Sequence, residues 1–253
     1  MMADDCILET QGLTKEFSGF TAVSDVNLRV RRGDIHALIG PNGAGKTTVF
    51  NLLTKVLTPS SGRIFYRGRD ITGLAPAKVA RLGVVRSFQI SSVFPYMSAL
   101  ENVRIALQRP LGVSFRFWRS DKVLNDLNGQ AMEALSLVGL ERYADILALE
   151  LPYGHKRALE IATTLALSPE LMLLDEPMAG MGAEDVAQVA QLIKKVSVNR
   201  TILMVEHNLN VVAEISDRIT VLQRGCILVE GSYSEVSQNP AVVEAYIGRA
   251  HRH

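Results

Sequence analysis

The sequence predicts an α/β protein in which helices cover both faces of a mostly parallel sheet. Two runs, 171–177 and 201–207, are apolar along most of their length, which is typical of strands buried on both faces. A helical pattern at 182–196 lies between them, and parallel neighbours need such a crossover. Another helical pattern, at 46–57, follows the apolar run 34–39. This alternation of strand and helix indicates a sheet layered between helices.

The remaining strands are predicted from short runs rich in Ile, Leu and Val between turn-forming residues. They lie at residues 6–17, 25–30 and 62–68, and a C-terminal hairpin at 218–231 is expected to turn at Arg224 and Gly225.

Residues 98–148 have a different character, because they carry consecutive helical patterns without an intervening strand. The stretch "PLGVSFRFW" within them is predicted to be a loop with exposed aromatic residues. We therefore expect a single domain over 1–253. Its core would span about 1–90 and 160–253, and a helical subdomain would be inserted at about 91–159.

Composition limits the classes of function. The chain has 253 residues, 47% of them apolar, and a formal net charge of +1. This near-neutral charge gives no support to a nucleic-acid partner or an anionic membrane, which are typically bound by a basic surplus. Cys6 and Cys226 fit no metal or disulfide spacing, which favours a reducing compartment. The first residues, "MMADDCILET", lack the basic and apolar pattern of a signal peptide, so export is not expected. No apolar run reaches the ~18 residues of a spanning helix, so any membrane role is expected to come through a partner.

A glycine-rich stretch, "IGPNGAGKTT", follows a predicted strand and opens a predicted helix. Within it Gly40, Gly45, Lys46 and Thr47 satisfy the P-loop pattern G-x-x-x-x-G-K-[ST]. Glycines let backbone N–H groups converge on phosphate oxygens, Lys46 can reach the β- and γ-phosphates, and Thr47 can ligate Mg²⁺. The alternative, a glycine-rich turn with a solvated lysine, is disfavoured by the strand–helix context. The residues expected to bind nucleotide here are Gly40, Pro41, Asn42, Gly43, Ala44, Gly45, Lys46, Thr47 and Thr48.

A P-loop requires a carboxylate for magnesium at the end of a second strand. The run "LMLLDEP" supplies Asp175 and Glu176 at the carboxyl end of a predicted central strand, where ligands bind in α/β sheets. We expect Asp175 to be a metal ligand, through water, and Glu176 to orient or deprotonate the attacking water. The alternative is a strand end with solvated charges. His207 ends the next strand, where it is either an ordinary core or surface histidine or a γ-phosphate contact.

The order of these motifs resembles that of the ATP-binding subunit of an ATP-binding-cassette (ABC) transporter. The resemblance covers nearly the whole chain and rests on the P-loop, "RSFQ" at 86–89, "LPYGHKRALEIA" at 151–162, "LMLLDEP" and "VEHN". It implies a P-loop NTPase core with an N-terminal antiparallel β subdomain, and ATP and Mg²⁺ as the bound cofactors.

The resemblance also implies roles for single residues. Gln89 would bind Mg²⁺ and sense the membrane partner, Glu176 would be the catalytic base, and His207 would be the switch histidine. Phe17 matches the aromatic residue that stacks on adenine in this family, although an aromatic at a strand end can also belong to the core. In the family's head-to-tail dimer, the "LPYGH" segment of one subunit, which includes Gly154, covers the P-loop of the other.

Finer details, including "RSFQISSVFPYMSALENV" and the tail "NPAVVEAYIG", are similar to one of the two ATPases of branched-chain (hydrophobic) amino-acid importers. Such importers also take up urea, amides and aromatic acids, so the solute stays open. The implied partners are a second ABC ATPase subunit, identical or different, two integral-membrane permease subunits and, indirectly, an extracellular or periplasmic solute-binding protein. The chain would lie at the cytoplasmic face of the membrane. The alternatives are the ATPase of a lipid or polysaccharide exporter, a non-transport cassette protein, or a P-loop kinase.

The chain departs from the family pattern at three positions. Pro152 replaces the serine of the Leu-Ser-Gly-Gly-Gln signature, which would bond the partner's γ-phosphate. Gly182 stands where an aspartate is expected, and Lys55 where glycine is common. We therefore expect an asymmetric heterodimer in which the site built on this chain's P-loop does most of the hydrolysis. The alternative is a subgroup with two working sites.

Overall fold

Two β-sheets form the frame of the protein in the computed structural model, which describes residues 5–87, 93–108 and 121–247. The strands, in chain order, are β1 (Cys6–Phe17), β2 (Phe20–Val26), β3 (Arg29–Arg31), β4 (Ile35–Ile39), β5 (Ser61–Tyr66), β6 (Arg69–Asp70), β7 (Val84–Ser87), β8 (Leu171–Asp175), β9 (Thr201–Val205), β10 (Arg218–Gln223) and β11 (Cys226–Gly231). The helices are α1 (Lys46–Leu53), α2 (Pro76–Arg81), α3 (Ala99–Gln108), α4 (Asp121–Leu137), α5 (Tyr153–Leu165), α6 (Ala183–Val196), α7 (Leu209–Ile215), α8 (Tyr233–Ser237) and α9 (Pro240–Ile247).

The first sheet is antiparallel and comes from the N-terminal part of the chain. Its order is β2-β1-β5-β6, and β3 also pairs with β1. Every pairing in it is antiparallel. The expected N-terminal antiparallel subdomain is therefore confirmed.

The second sheet has the order β11-β10-β4-β9-β8-β7 and is parallel except at β11, which forms the predicted hairpin with β10. All residues of β4, β8 and β9 are buried, which explains why their sequences are apolar without alternation. Because neighbouring parallel strands point the same way, the ends of β4, β8 and β9 lie along one edge of the sheet. The predicted α/β class with a mostly parallel sheet is confirmed.

Several element boundaries differ from the prediction. The single strand expected at 25–30 is divided between Val26 and Arg29, because β2 and β3 pair with different parts of β1. The helix expected at 46–57 ends at Leu53, and Lys55 beyond it has a φ of 62°. The strands expected to reach residues 177 and 207 stop at Asp175 and Val205, which leaves the polar residues outside the sheet.

The segment between β7 and β8 is helical where the structure describes it. It contains α3, α4, two short 3-10 turns (Glu141–Tyr143 and Ala148–Glu150) and α5. These elements share one hydrophobic core with α6 and one face of the parallel sheet. The loop "PLGVSFRFW" lies outside the described residues.

A second core fills the space between the two sheets and contains α1. Phe50, Leu52 and Leu53 of α1 are fully buried there. At about 1.5–3 kcal/mol for each large apolar side chain, this burial fixes the helix that follows the P-loop.

A buried polar network crosses the parallel sheet next to this core. The Nε2 atom of His36 lies 2.7 Å from the Thr220 hydroxyl, and that hydroxyl donates to Glu230 (2.9 Å). Since the single Thr220 proton goes to the carboxylate, Nε2 of His36 must carry a proton and Nδ1 must not. Nδ1 is buried and has no hydrogen-bond partner among the described residues. Burial accordingly lowers the pKa of His36 to about 4.

This network predicts acid sensitivity of the fold. In the unfolded chain the pKa of His36 is ~6.5, so between about pH 6.5 and pH 4 the unfolded state binds the extra proton. The free energy of unfolding should therefore fall as the pH is lowered through this range, by about 3 kcal/mol in total. The variant His36→Gln should lose this component of the slope. Urea unfolding at pH 7, 6, 5 and 4.5 measures the difference, and equal slopes for both proteins would contradict the assignment.

Candidate functional site: a nucleotide-binding cleft

The P-loop connects β4 to α1 and is packed tightly against neighbouring backbone. Gly40 has a φ of 148°, and a Cβ there would lie 2.2 Å from the carbonyl oxygen of Leu222 in β10. Gly45 has a φ of 104°, and its Cβ would lie 2.7 Å from the carbonyl oxygen of Ala22 in β2. Only glycine allows this approach at either position, so both sheets shape the loop.

Lys46 begins α1 and turns its ammonium group back onto the loop. Its Nζ donates to the carbonyl oxygens of Gly40 (2.7 Å) and Pro41 (3.1 Å), and the side chain is buried. The first backbone N–H groups of α1 have no intrahelical acceptors, as at any helix start. Ammonium and N–H groups together form a binding site for an anion such as a phosphate.

A cleft of about 460 Å³ opens above this loop. It is lined by Phe20, Ala22, Asn42, Gly43, Ala44, Gly45, Lys46, Thr47, Thr48, Glu176 and His207. The structure thus brings the predicted residues 42–48 together with Glu176 and His207. Gly40 and Pro41 lie at the base of the loop, where their carbonyl groups hold Lys46.

Asp175 ends β8 beside this cleft and is almost completely buried. Its Oδ2 forms an ion pair with Arg86 of β7, which also donates to Asn51 of α1 (2.6 Å). Its Oδ1 is buried and accepts no hydrogen bond from the described residues. Oδ1 and the hydroxyl of Thr47 are oxygen donors of the kind that Mg²⁺ prefers, so these two residues could hold the ion.

The described residues contain no group of three His, Cys, Asp or Glu side chains that could hold a metal ion.

Glu176 and His207 face each other at the ends of neighbouring strands. The Nε2 atom of His207 lies 2.6 Å from Oε1 of Glu176. Glu176 has a φ of 48°, and its N–H donates to the carbonyl of Val205 (2.9 Å), which turns its side chain out of the sheet. His207 is partly exposed and in the cleft, so the alternative of a core histidine does not hold.

Glu206 is a site residue that the sequence did not single out. It is 3% exposed, and its carboxylate accepts N–H groups from Met178 (3.1 Å), His207 (2.9 Å) and Asn208 (3.2 Å). It therefore fastens the turn after Glu176 to the segment that carries His207. The only sequence signal for Glu206 was its place as an acid at the end of an apolar run. If such an acid is buried, it requires hydrogen-bond donors around it.

Two further predicted residues are placed away from the cleft lining. Phe17 lies opposite Phe20 in the β1–β2 hairpin and is partly exposed, and it is Phe20 that lines the cleft. Gly154 lies in the first turn of α5, where a Cβ would be 2.8 Å from Asp185 Oδ1. The adenine contact of Phe17 and the action of Gly154 on a partner's nucleotide stay predictions. Gln89 lies outside the described residues.

The C-terminal helix reaches the base of the P-loop. Tyr246 of α9 packs against the core, and burial raises the pKa of its phenol to about 12, although a hydrogen bond with the backbone of Gly40 acts in the opposite direction. The C-terminal tail "NPAVVEAYIG", which is similar to that of amino-acid importer ATPases, is therefore in contact with the nucleotide-binding loop.

Comparison with known families decides the identity of this arrangement. The profile of a family described as ABC transporter matches residues 23–179, which include the P-loop and both acids of β8 and its following turn. The chain belongs to the ABC transporter family. It is thus an ATP-hydrolysing transport subunit, as its motifs predicted. A second profile, described as branched-chain amino acid ATP-binding cassette transporter, matches residues 226–252.

Curated relatives of this ABC protein match over almost their whole length. It is 40% identical over 254 residues to the high-affinity branched-chain amino acid transport ATP-binding protein BraF of Pseudomonas aeruginosa, covering 96% of this chain and 98% of the relative. It is 38% identical over 256 residues to LivG of Escherichia coli, which carries the same description, with the same coverage.

Solved ABC structures share the fold. The ADP conformation of the cassette MJ1267 is 31% identical, with a TM-score of 0.85, covering 96% of this chain and 99% of that one. A dimeric post-hydrolysis state of the cassette MJ0796 bound to ADP and phosphate is 25% identical, with a TM-score of 0.74, covering 89% and 98%.

The geometry around Glu206 makes a prediction about catalysis. In Glu206→Gln an amide N–H₂ replaces one acceptor oxygen and faces backbone donors. Losing charge-assisted bonds costs about 1.5–3 kcal/mol, so ATP turnover should fall about tenfold or more as Glu176 and His207 lose their fixed positions. Nucleotide affinity should be unchanged, because Glu206 does not line the cleft.

The matched control is Glu214→Gln, which changes an exposed glutamate on the neighbouring helix α7. Steady-state ATPase assays and titration with a fluorescent ATP analogue give the two quantities. Normal turnover in Glu206→Gln would show that the carboxylate does not position the site.

Proposed function

We propose that this chain is an ATPase subunit of an importer for branched-chain or other hydrophobic amino acids, or for related small solutes. The convergence of Lys46, Glu176 and His207 on one cleft supports ATP hydrolysis. The similarity to BraF and LivG over nearly the whole chain, together with the C-terminal profile match, supports the class of solute.

Lys46 and the N-terminus of α1 bind the β- and γ-phosphates of ATP in this mechanism. The ammonium leaves the carbonyl groups of Gly40 and Pro41 for the phosphate oxygens. Thr47 and Asp175 would hold Mg²⁺, which neutralises charge on the phosphates. Arg86 keeps the Asp175 carboxylate aimed through its other oxygen.

Glu176 accepts the proton of the attacking water. Its position at the end of β8 places the carboxylate in the same cleft as the P-loop. The bond from His207 holds one carboxylate oxygen in a fixed direction, which pre-organises the base. When the γ-phosphate is present, His207 is within the same cleft to contact it, and Gln89 would complete the site.

A second ATPase subunit would complete the site from the other side. The first turn of α5, including Gly154, would cover the partner's P-loop in a head-to-tail dimer, and a structural relative is dimeric. Pro152 precedes α5 and makes no side-chain cap, so the signature hydroxyl is missing and the backbone N–H groups of α5 would face the partner's phosphates without it. This supports an asymmetric heterodimer in which the partner supplies a complete signature.

Permease subunits would connect the chain to the membrane. No helix among the described residues is long and apolar enough to cross a bilayer. Phe94 and Tyr96, which follow the segment containing Gln89, expose 50% and 81% of their surface, and Leu149 is exposed on the neighbouring segment. Bridge pairing of Ser98 with Leu147 holds the two segments side by side. Exposed apolar residues of this kind suit a protein partner at the cytoplasmic membrane face.

The exporter alternative is not favoured. The lipopolysaccharide export ATP-binding protein LptB of Acidithiobacillus ferridurans is also similar, at 35% identity over 244 residues. Its identity is lower than that of BraF, and the C-terminal profile match points to the amino-acid transporters.

Replacing the catalytic base tests this function. Glu176→Gln keeps the shape of the side chain but cannot accept a proton, so turnover should fall by about 10²-fold or more while ATP stays bound between the subunits. The assembled complex with permeases, second ATPase and solute-binding protein is reconstituted in vesicles. Uptake of labelled leucine and release of phosphate are then measured together.

In the wild-type complex, leucine uptake should be coupled to phosphate release. Lys46→Ala should prevent both processes by abolishing phosphate binding. The amino-acid assignment would be overturned if leucine neither stimulates ATP hydrolysis nor is taken up, while the same complex transports a different class of solute. Normal hydrolysis by Glu176→Gln would overturn the role of the base.

The missing signature hydroxyl gives a second prediction. Pro152→Ser supplies an acceptor and donor at the start of α5, and one charge-assisted hydrogen bond to the partner's nucleotide is worth about 1.5–3 kcal/mol. If this site is impaired, its turnover in the heterodimer should rise about tenfold to a hundredfold. Pro152→Ala is the control that removes the ring without adding a hydroxyl. Equal turnover in both variants would favour two sites that already work.

A further inference from the structure

The beginning of α5 is tied to the loop that follows Glu176. The hydroxyl of Tyr153, the first residue of α5, donates to the carbonyl oxygen of Ala179 at 3.0 Å. Beside it, Gly154 lies against Asp185 of α6, whose carboxylate would have to move to admit a larger side chain. In the signature that this segment resembles, the residue at the Tyr153 position is a glycine, which could not make such a bond.

Tyr153 is itself held in place by a buried ion pair. Arg157 donates to the Tyr153 hydroxyl at 3.3 Å and to Glu160 at 2.7 Å, one turn further along α5. Arg157 and Glu160 are both buried. Burial raises the pKa of Glu160, while the bond from Arg157 acts against that rise. Because the hydroxyl has one proton to donate and accepts from Arg157, its bond to Ala179 has a fixed direction.

The loop that contains Ala179 connects the Tyr153 hydrogen bond to the carboxylate of Glu176. The N–H of Ala179 donates to the carbonyl of Glu176 at 3.1 Å, which closes a turn. Glu176 begins that turn with a left-handed backbone, and its carboxylate is bonded to His207. A shift of Tyr153 relative to the sheet would therefore displace the turn 176–179, which sets the position of the Glu176 side chain.

We propose that Tyr153 is a positioning residue that couples the two nucleotide sites of the dimer. Nucleotide bound to the partner's P-loop would contact the first turn of α5, and the Tyr153–Ala179 bond would transmit that contact to Glu176 in this chain's own site. By linkage, occupancy of this chain's site would affect the partner's nucleotide equally. This inference rests on the proposed function, since it needs the head-to-tail dimer.

The test is Tyr153→Phe in the assembled transporter, because this change removes only the hydroxyl. Tyr153 is partly exposed, so the loss of its hydrogen bond to Ala179 should lower kcat about two- to tenfold. The KM for ATP should stay within about twofold, because the hydroxyl that is removed bonds Ala179 of its own chain and does not line the cleft. The Hill coefficient for ATP should fall towards 1. Tyr143→Phe is the control, since Tyr143 is a nearby aromatic residue that stacks on His155.

Hydrogen exchange provides a second measurement that does not depend on turnover. With Lys46→Ala in this chain, nucleotide binds only to the partner's P-loop. It should then slow exchange in residues 178–182 of this chain, and the added Tyr153→Phe change should abolish that protection.

The outcomes separate the two proposals. A wild-type complex without solute uptake would contradict the proposed function itself. A wild-type complex that transports normally, with unchanged kcat, Hill coefficient and loop protection in Tyr153→Phe, would overturn the coupling role alone.

Discussion

The burial of α1 between the two sheets is the constraint on which the nucleotide site depends. Three large side chains of α1 are fully enclosed there, so the helix cannot shift without opening the core. The P-loop, which precedes α1, packs closely against the backbone of β10 at Gly40 and against that of β2 at Gly45. The anion-binding groups are therefore placed by packing that is remote from the phosphates, which is how a flexible glycine-rich sequence becomes a rigid cradle.

The groups proposed for catalysis are positioned by the common edge of the parallel strands. Asp175 ends β8, Glu176 follows it, and His207 lies just beyond β9, whose register with β8 aligns the strand ends. Beyond the strands the backbone leaves the sheet, and side-chain hydrogen bonds and ion pairs position the residues. Arg86 fixes the carboxylate that is proposed to hold the metal, and Glu206 joins the turns that carry Glu176 and His207. The site is thus a rigid cradle facing a pair of loops that are held by a few charged contacts.

Sequence reasoning succeeded where one local pattern determined the outcome. The largely apolar strands β8 and β9 and the P-loop were predictable because their composition admits few other structures. The division between β2 and β3 was not predictable, since it depends on the different parts of β1 with which they pair. Glu206 and Tyr153 were also beyond prediction in their roles. For each residue the partner that gives it this role is a backbone group distant in sequence, the N–H of Met178 or the carbonyl of Ala179. Backbone groups leave no signal in side-chain identity.

The resting contacts of Lys46 have a consequence for selectivity. Its ammonium is already satisfied by two carbonyl groups of its own loop, so an arriving anion gains only the difference between those acceptors and itself. A single phosphate or sulfate ion makes few contacts with which to offset that loss. A polyphosphate chain is long enough to contact the lysine and the helix start at once, so it offsets the lost carbonyl contacts better than a single oxyanion does. The resting contacts of Lys46 therefore favour a nucleotide triphosphate over simple oxyanions.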